Sequence, residues 1–246
     1  MADKWQKLDN PPVVLAVMEI KFQLKSDIDI SFLKKNDSKI LTDYPKRTDN
    51  FTGNINLPVP SDGISTAQVS SKQIGYTYLN KSKSKKIVIS KENLIFAIEG
   101  KYPGWDDFKK EGINIIENFK QVLDLSLITR VSIRFINKLI LTNSNRPEDY
   151  FNTLITAREG TTENSVNSYY IKYTTHKPNS KIRTNVIQSL EENKEDKYSF
   201  VFDIDVLCHN NIEYSDLKLD EKLEEIRDIK NSIFFKNLTK KTFEEL

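Results

Sequence analysis

Asp203 and Asp205, in the segment FDIDV, stand two residues apart where alternation predicts a strand, so their carboxylates share one face with Val201 and Leu207. Paired carboxylates are hard oxygen ligands that a divalent cation could share. With a third acid, Glu19 or Asp228, they would support metal-dependent nuclease or phosphotransfer chemistry. The competing reading is structural: Arg134 of RVSIRFIN, facing opposite Ile133 and Phe135, would pair with them across the sheet. The thiol and imidazole groups are sparse, one cysteine and two histidines. Cys208 and His209 are adjacent and point to opposite faces of a strand, which excludes a local Cys-His nucleophile and favours a buried cysteine beside a surface histidine. Neither a glycine-rich phosphate loop nor a G-x-S-x-G elbow occurs, and seven glycines leave little backbone for cradling phosphates. No catalytic residues are assigned, and no cofactor is expected.

Two other groups of residues bear on binding. Lys81, Lys83, Lys85 and Lys86 cluster beside Tyr76 and Tyr78, which are predicted to lie on a strand; phosphate contacts and base stacking there would make a nucleic-acid surface. The same lysines fall in a hairpin turn, where solvated cations are ordinary. Near the C-terminus, Leu219, Leu223, Ile226, Ile233 and Phe234 form a helical stripe interrupted by Lys230. Phe235, Phe243 and Leu246 exceed that stripe and are the candidates for docking a protein partner or a second copy of the chain.

The elements that must position these residues follow from periodicity. VVLAVMEIKFQL alternates as a strand; residues from about 29 to 43 read as a helix stopped by Pro45; residues 45–72 read as a long surface excursion. Three short strands follow, then a helix in KYPGWDDFKKEGINIIENFKQVL, entered through Pro103 and Gly104 with Asp106 and Asp107 in its first turn. Gly112 lies on the apolar stripe of that helix and marks a place where another backbone comes close. Residues 130–141 then predict a strand, 146–155 a helix, three further strands and a last helix. Both halves, 1–127 and 128–246, therefore spell β-α-β-β-β-α. The expected fold is α+β: two pseudo-symmetric halves forming one unit, with mainly antiparallel sheets covered by helices.

Composition bounds the class. The chain has 246 residues with 38% hydrophobic content, enough for a substantial core, and 37 basic against 35 acidic residues, which demands no polyanionic partner. No apolar run approaches the roughly 20 residues that cross a bilayer, MADKWQKLDN is not a signal sequence, and the lone cysteine forms no internal disulfide; a cytoplasmic address without membrane association is expected.

The segments NPPVVLAVMEIKF, YPGWDDF, RVSIRFIN, FDIDV and the ending from Leu223 onward together resemble, in order and across the chain, an uncharacterised and sporadically distributed prokaryotic family. The resemblance brings no catalytic residues with it. Its patchy distribution implies carriage with mobile or antiviral defence loci. The resulting expectation is a non-catalytic cytoplasmic interaction protein, an accessory or antitoxin-like component whose partner is a protein encoded nearby or a second copy of itself. A nucleic-acid binder and a metal-dependent enzyme are the alternatives.

Overall fold

The computed structural model describes residues 5–35, 37–56, 68–120, 123, 125–142, 147–153, 168–193 and 197–244. In chain order the elements are β1 (Val13–Leu24), α1 (Ser31–Lys35), α2 (Ser38–Asp43), β2 (Lys46–Asn56), β3 (Gln68–Leu79), β4 (Lys85–Ser90), β5 (Asn93–Glu99) and α3 (Trp105–Lys120). They continue with β6 (Leu125–Thr142), α4 (Pro147–Tyr150), β7 (Tyr169–His176), β8 (Ile182–Asn193), β9 (Lys197–Glu213), α5 (Leu219–Asn237) and α6 (Lys240–Glu244). The protein is α+β. Nine described strands form a single sheet in the order β2-β3-β4-β5-β1-β6-β9-β8-β7, with every pairing antiparallel.

The halves meet at the centre of that sheet, where Met18 of β1 lies opposite Ile133 of β6 and Ala16 opposite Phe135. Alternation along β1 buries Ala16, Met18, Ile20 and Phe22 on one face. The helices α3 and α5 cover that face, because each presents an apolar stripe at helical spacing: Phe108, Ile115, Ile116 and Phe119 from α3, and Leu223, Ile226 and Phe234 from α5. Phe96 and Phe202 meet Phe108 and Phe234 with ring centroids 5.4 and 6.3 Å apart. A Cβ built on Gly112 would fall 2.6 Å from Met18 Sδ and 3.3 Å from Phe96 Cδ1, so the close approach expected there comes from side chains of the sheet, not from backbone.

Three segments depart from the sequence expectation. The stretch 45–72 is not simply an excursion, since it contains β2 and the first residues of β3. As an edge strand, β2 buries none of residues 46–53, and Phe51 is 60% exposed, so no apolar period marked it. The helix expected from about 29 to 43 is divided into α1 and α2. Between them Asp37 turns its carboxylate inward, 2.5 Å from Arg47 Nη1 and 2.9 Å from the Tyr78 hydroxyl that donates to it. Of the helix expected over 146–155, the described residues 147–153 hold the single turn α4, after which Phe151 bridges to Leu238; residues 146, 154 and 155 lie outside the described residues. No helix among the described residues is long and apolar enough to cross a membrane.

Candidate functional site

Between the chain preceding β1, the entrance of α3, and α5 lies a cavity of about 460 Å³. Its walls come from segments far apart in sequence. Residues 5–13 run along one side, tied down where the Lys138 amide donates to Pro12 O at 2.8 Å and where Trp5 Nε1 donates to Asp228 Oδ1 at 2.8 Å. The entrance of α3 forms a second side. Gly104 adopts φ +103°, which a residue with a Cβ rarely tolerates, and that turn brings Trp105, Asp106 and Asp107 to the cavity. From α5 come Arg227, Lys230, Asn231 and Phe234, spaced three, four and seven residues on, the spacing that keeps side chains on one helical face. Phe135 and Asn137 of β6 complete the lining.

The charges in this lining are not equally occupied. Arg227 donates to Glu224 at 3.2 Å and stacks 5.2 Å over the Trp105 ring. Glu224 also accepts from Trp105 Nε1 at 2.8 Å and Lys109 Nζ at 2.6 Å. Lys230 is different. Its ammonium lies 4.3 Å from the centroid of Phe135, and among the described residues it has neither a carboxylate partner nor a hydrogen-bond acceptor. The residue is half-buried and lines the cavity. Burial, reinforced by the Arg227 charge, pushes the amine down to about 7 from its ordinary value near 10.5. Asn231, 6% exposed, makes no side-chain hydrogen bond among the described residues, and Asn137 donates to Phe202 O at 2.9 Å. Tyr102 packs edge-on against Phe135 at 5.5 Å, and burial raises its phenol so that it remains neutral.

The arrangement is that of a ligand pocket: several hundred cubic ångströms, aromatic walls and a few converging polar groups. Lys230 was visible in the sequence only as the charge that interrupts the apolar stripe of α5. Nothing local to residues 5, 105 or 137 marked them as its neighbours.

The residues singled out from sequence lie elsewhere or at the margin of this cavity. Phe235 is half-buried, stacked between Trp5 and Phe243 at 5.4 Å on either side, and it lines the cavity. Leu246 lies outside the described residues. Lys81, Lys83 and Lys86 are exposed around the β3–β4 turn, while Lys85 pairs with Glu111 at 2.7 Å. Tyr76 and Tyr78 are 2% and 0% exposed and point into the core, closed off from the solvent that surrounds those lysines. On the opposite, polar face of the sheet, Arg134 forks onto Asp203, with Nε 2.9 Å from Oδ1 and Nη2 2.6 Å from Oδ2. Asp205 accepts from Asn185 at 3.0 Å, and burial raises its carboxyl. Glu19 pairs with Arg130, and Asp228 holds Trp5. Among the described residues no three His, Cys, Asp or Glu side chains converge as metal ligands. Cys208 is buried with its Sγ 3.3 Å from Asn210 Oδ1, and His209 is exposed.

Compared with known protein families and with curated proteins, the chain matches none.

Proposed function

We propose that the chain is a non-catalytic recognition protein of the cytoplasm, and that the cavity between residues 5–13, α3 and α5 is where it holds a small organic molecule. The observation that carries this reading is Lys230, an amine enclosed by aromatic walls at a cavity of about 460 Å³ with no described counter-ion. A buried amine left without a partner costs stability, and such groups are retained where a ligand completes them. Two pseudo-symmetric halves serving as a scaffold are part of this reading, and the strand order supports it: outward from the central β1–β6 pair, β5-β4-β3 on one side is matched by β9-β8-β7 on the other, with β2 added. The accessory or antitoxin-like setting, with a nearby-encoded protein or a second copy as partner, belongs to the same proposal through the family resemblance.

The test is a thermal-shift screen of the intact chain against a small-molecule metabolite library, with intrinsic fluorescence as a second signal. Both tryptophans of the chain, Trp5 and Trp105, line the cavity, so occupancy changes their emission. Saturable stabilisation with a matching fluorescence change is expected. A library in which no compound produces both signals would remove the cavity from the account.

A further inference from the structure

We propose that the ligand is an organic monoanion, a carboxylate on an apolar or aromatic body, with its carboxylate on Lys230 and Asn231. This inference rests on the cavity reading above and specifies its ligand.

The charge count selects a single negative charge. Of the cations that line the cavity, Lys7 is exposed to solvent, Arg227 is engaged by Glu224 and stacked on Trp105, and Lys230 is half-buried with no anionic partner among the described residues. One ammonium balances one carboxylate. A phosphate dianion would need further donors, and the exposed carboxylates of Asp106 and Asp107, which also line the cavity, would oppose two charges more strongly than one. Hydrogen bonding selects an acceptor: the Lys230 ammonium offers only donors, and the Asn231 amide, which lines the same cavity, makes no side-chain hydrogen bond among the described residues. The remaining lining selects the body, since Leu8, Pro12, Val13 and Phe234 give the cavity apolar walls.

The experiment compares matched acids and primary amides, 3-phenylpropionate with 3-phenylpropionamide and octanoate with octanamide, by calorimetry on the intact chain and on Lys230→Met. The acids are expected to bind saturably and their amides about ten- to a hundredfold more weakly, the ratio that follows from losing a charge-assisted hydrogen bond. In Lys230→Met that preference should vanish. The acid-against-amide comparison on the unmodified chain needs no variant, so it stands even where the substitution alters folding. Equal binding of acid and amide, or an unchanged preference in Lys230→Met, overturns the carboxylate assignment and leaves the cavity as a site for neutral molecules. Absence of binding by every acid overturns it too; the library screen then decides separately whether the cavity binds anything.

Discussion

The ammonium of Lys230 sits 4.3 Å from the centroid of Phe135, a cation carried by α5 onto an aromatic ring of the central strand β6. The ring face attracts the charge, and that attraction is worth about 1–2 kcal/mol in a desolvated setting. It does not replace the water lost by the amine. Burial, with the Arg227 charge beside it, pushes the amine down to about 7.

Replacing the amine should therefore stabilise the unliganded protein. Lys230→Met keeps the stem and removes the buried polar group, and an increase in unfolding free energy of about 1–3 kcal/mol is expected at pH 7. Chemical denaturation of the two proteins checks it. A less stable variant would show that the ammonium is satisfied in the folded state.

The same group sets a pH dependence with a defined sign. The amine titrates near 7 when folded and near its ordinary 10.5 when unfolded, so between those values the unfolded chain holds the extra proton. The cost of burying the charge is complete below the folded value and is relieved as pH rises. The other charged groups at the cavity, Lys7, Asp9, Asp106, Asp107 and Arg227, are present in both proteins, so the comparison isolates Lys230. The stability advantage of Lys230→Met should narrow steadily between about pH 7 and pH 10, and a constant advantage would contradict the assignment.

On the opposite face, Asp203 is 6% exposed and receives the fork of Arg134, whose side chain keeps 46% of its surface in solvent. That partial solvation limits the loss when the pair is broken. Asp203→Asn should cost about 1–2 kcal/mol, less than breaking a fully buried pair. Because Arg134 takes the place a cation would need, the melting temperature should be the same in magnesium as in a chelator. A magnesium-dependent rise that Asp203→Asn abolishes would restore the metal reading.

Two glycines contrast in what surrounds them. A Cβ on Gly75 would fall 2.0 Å from Ile89 O, and a ladder carbonyl cannot yield without parting β3 from β4. Gly75→Ala should lose about 3 kcal/mol or more. A Cβ on Gly112 meets the flexible end of Met18, and the gain of about 1 kcal/mol in helix propensity offsets the repacking, so Gly112→Ala should be close to neutral. Urea titration of both variants separates the cases.

Element type and the direction each face points were legible in the residues alone, because both depend on spacings of a few positions. The alternation of β1, the stripes of α3 and α5, the turn at Pro103 and Gly104, the buried Cys208 beside exposed His209, and the Arg134 partner for Asp203 all follow from local periodicity and charge. The β2 edge strand was not legible, since a strand with no buried residue over 46–53 carries no apolar period. The division of α1 from α2 was not legible either, because the contacts that Asp37 makes beside it run to Arg47 and the distant Tyr78.

The cavity belongs wholly to tertiary structure. Trp5, Trp105, Phe135 and Lys230 are separated by tens to hundreds of positions, and only the pairing of β1 with β6 and the packing of α3 and α5 on one face bring them to a common space. The sequence determined that Lys230 breaks an apolar stripe; folding decided that the break faces a cavity instead of solvent, and it decided that Phe235 stacks on Trp5 of its own chain. The physical reason is that a period reports which side of an element is apolar, while what lies against that side depends on contacts between segments that share no local pattern.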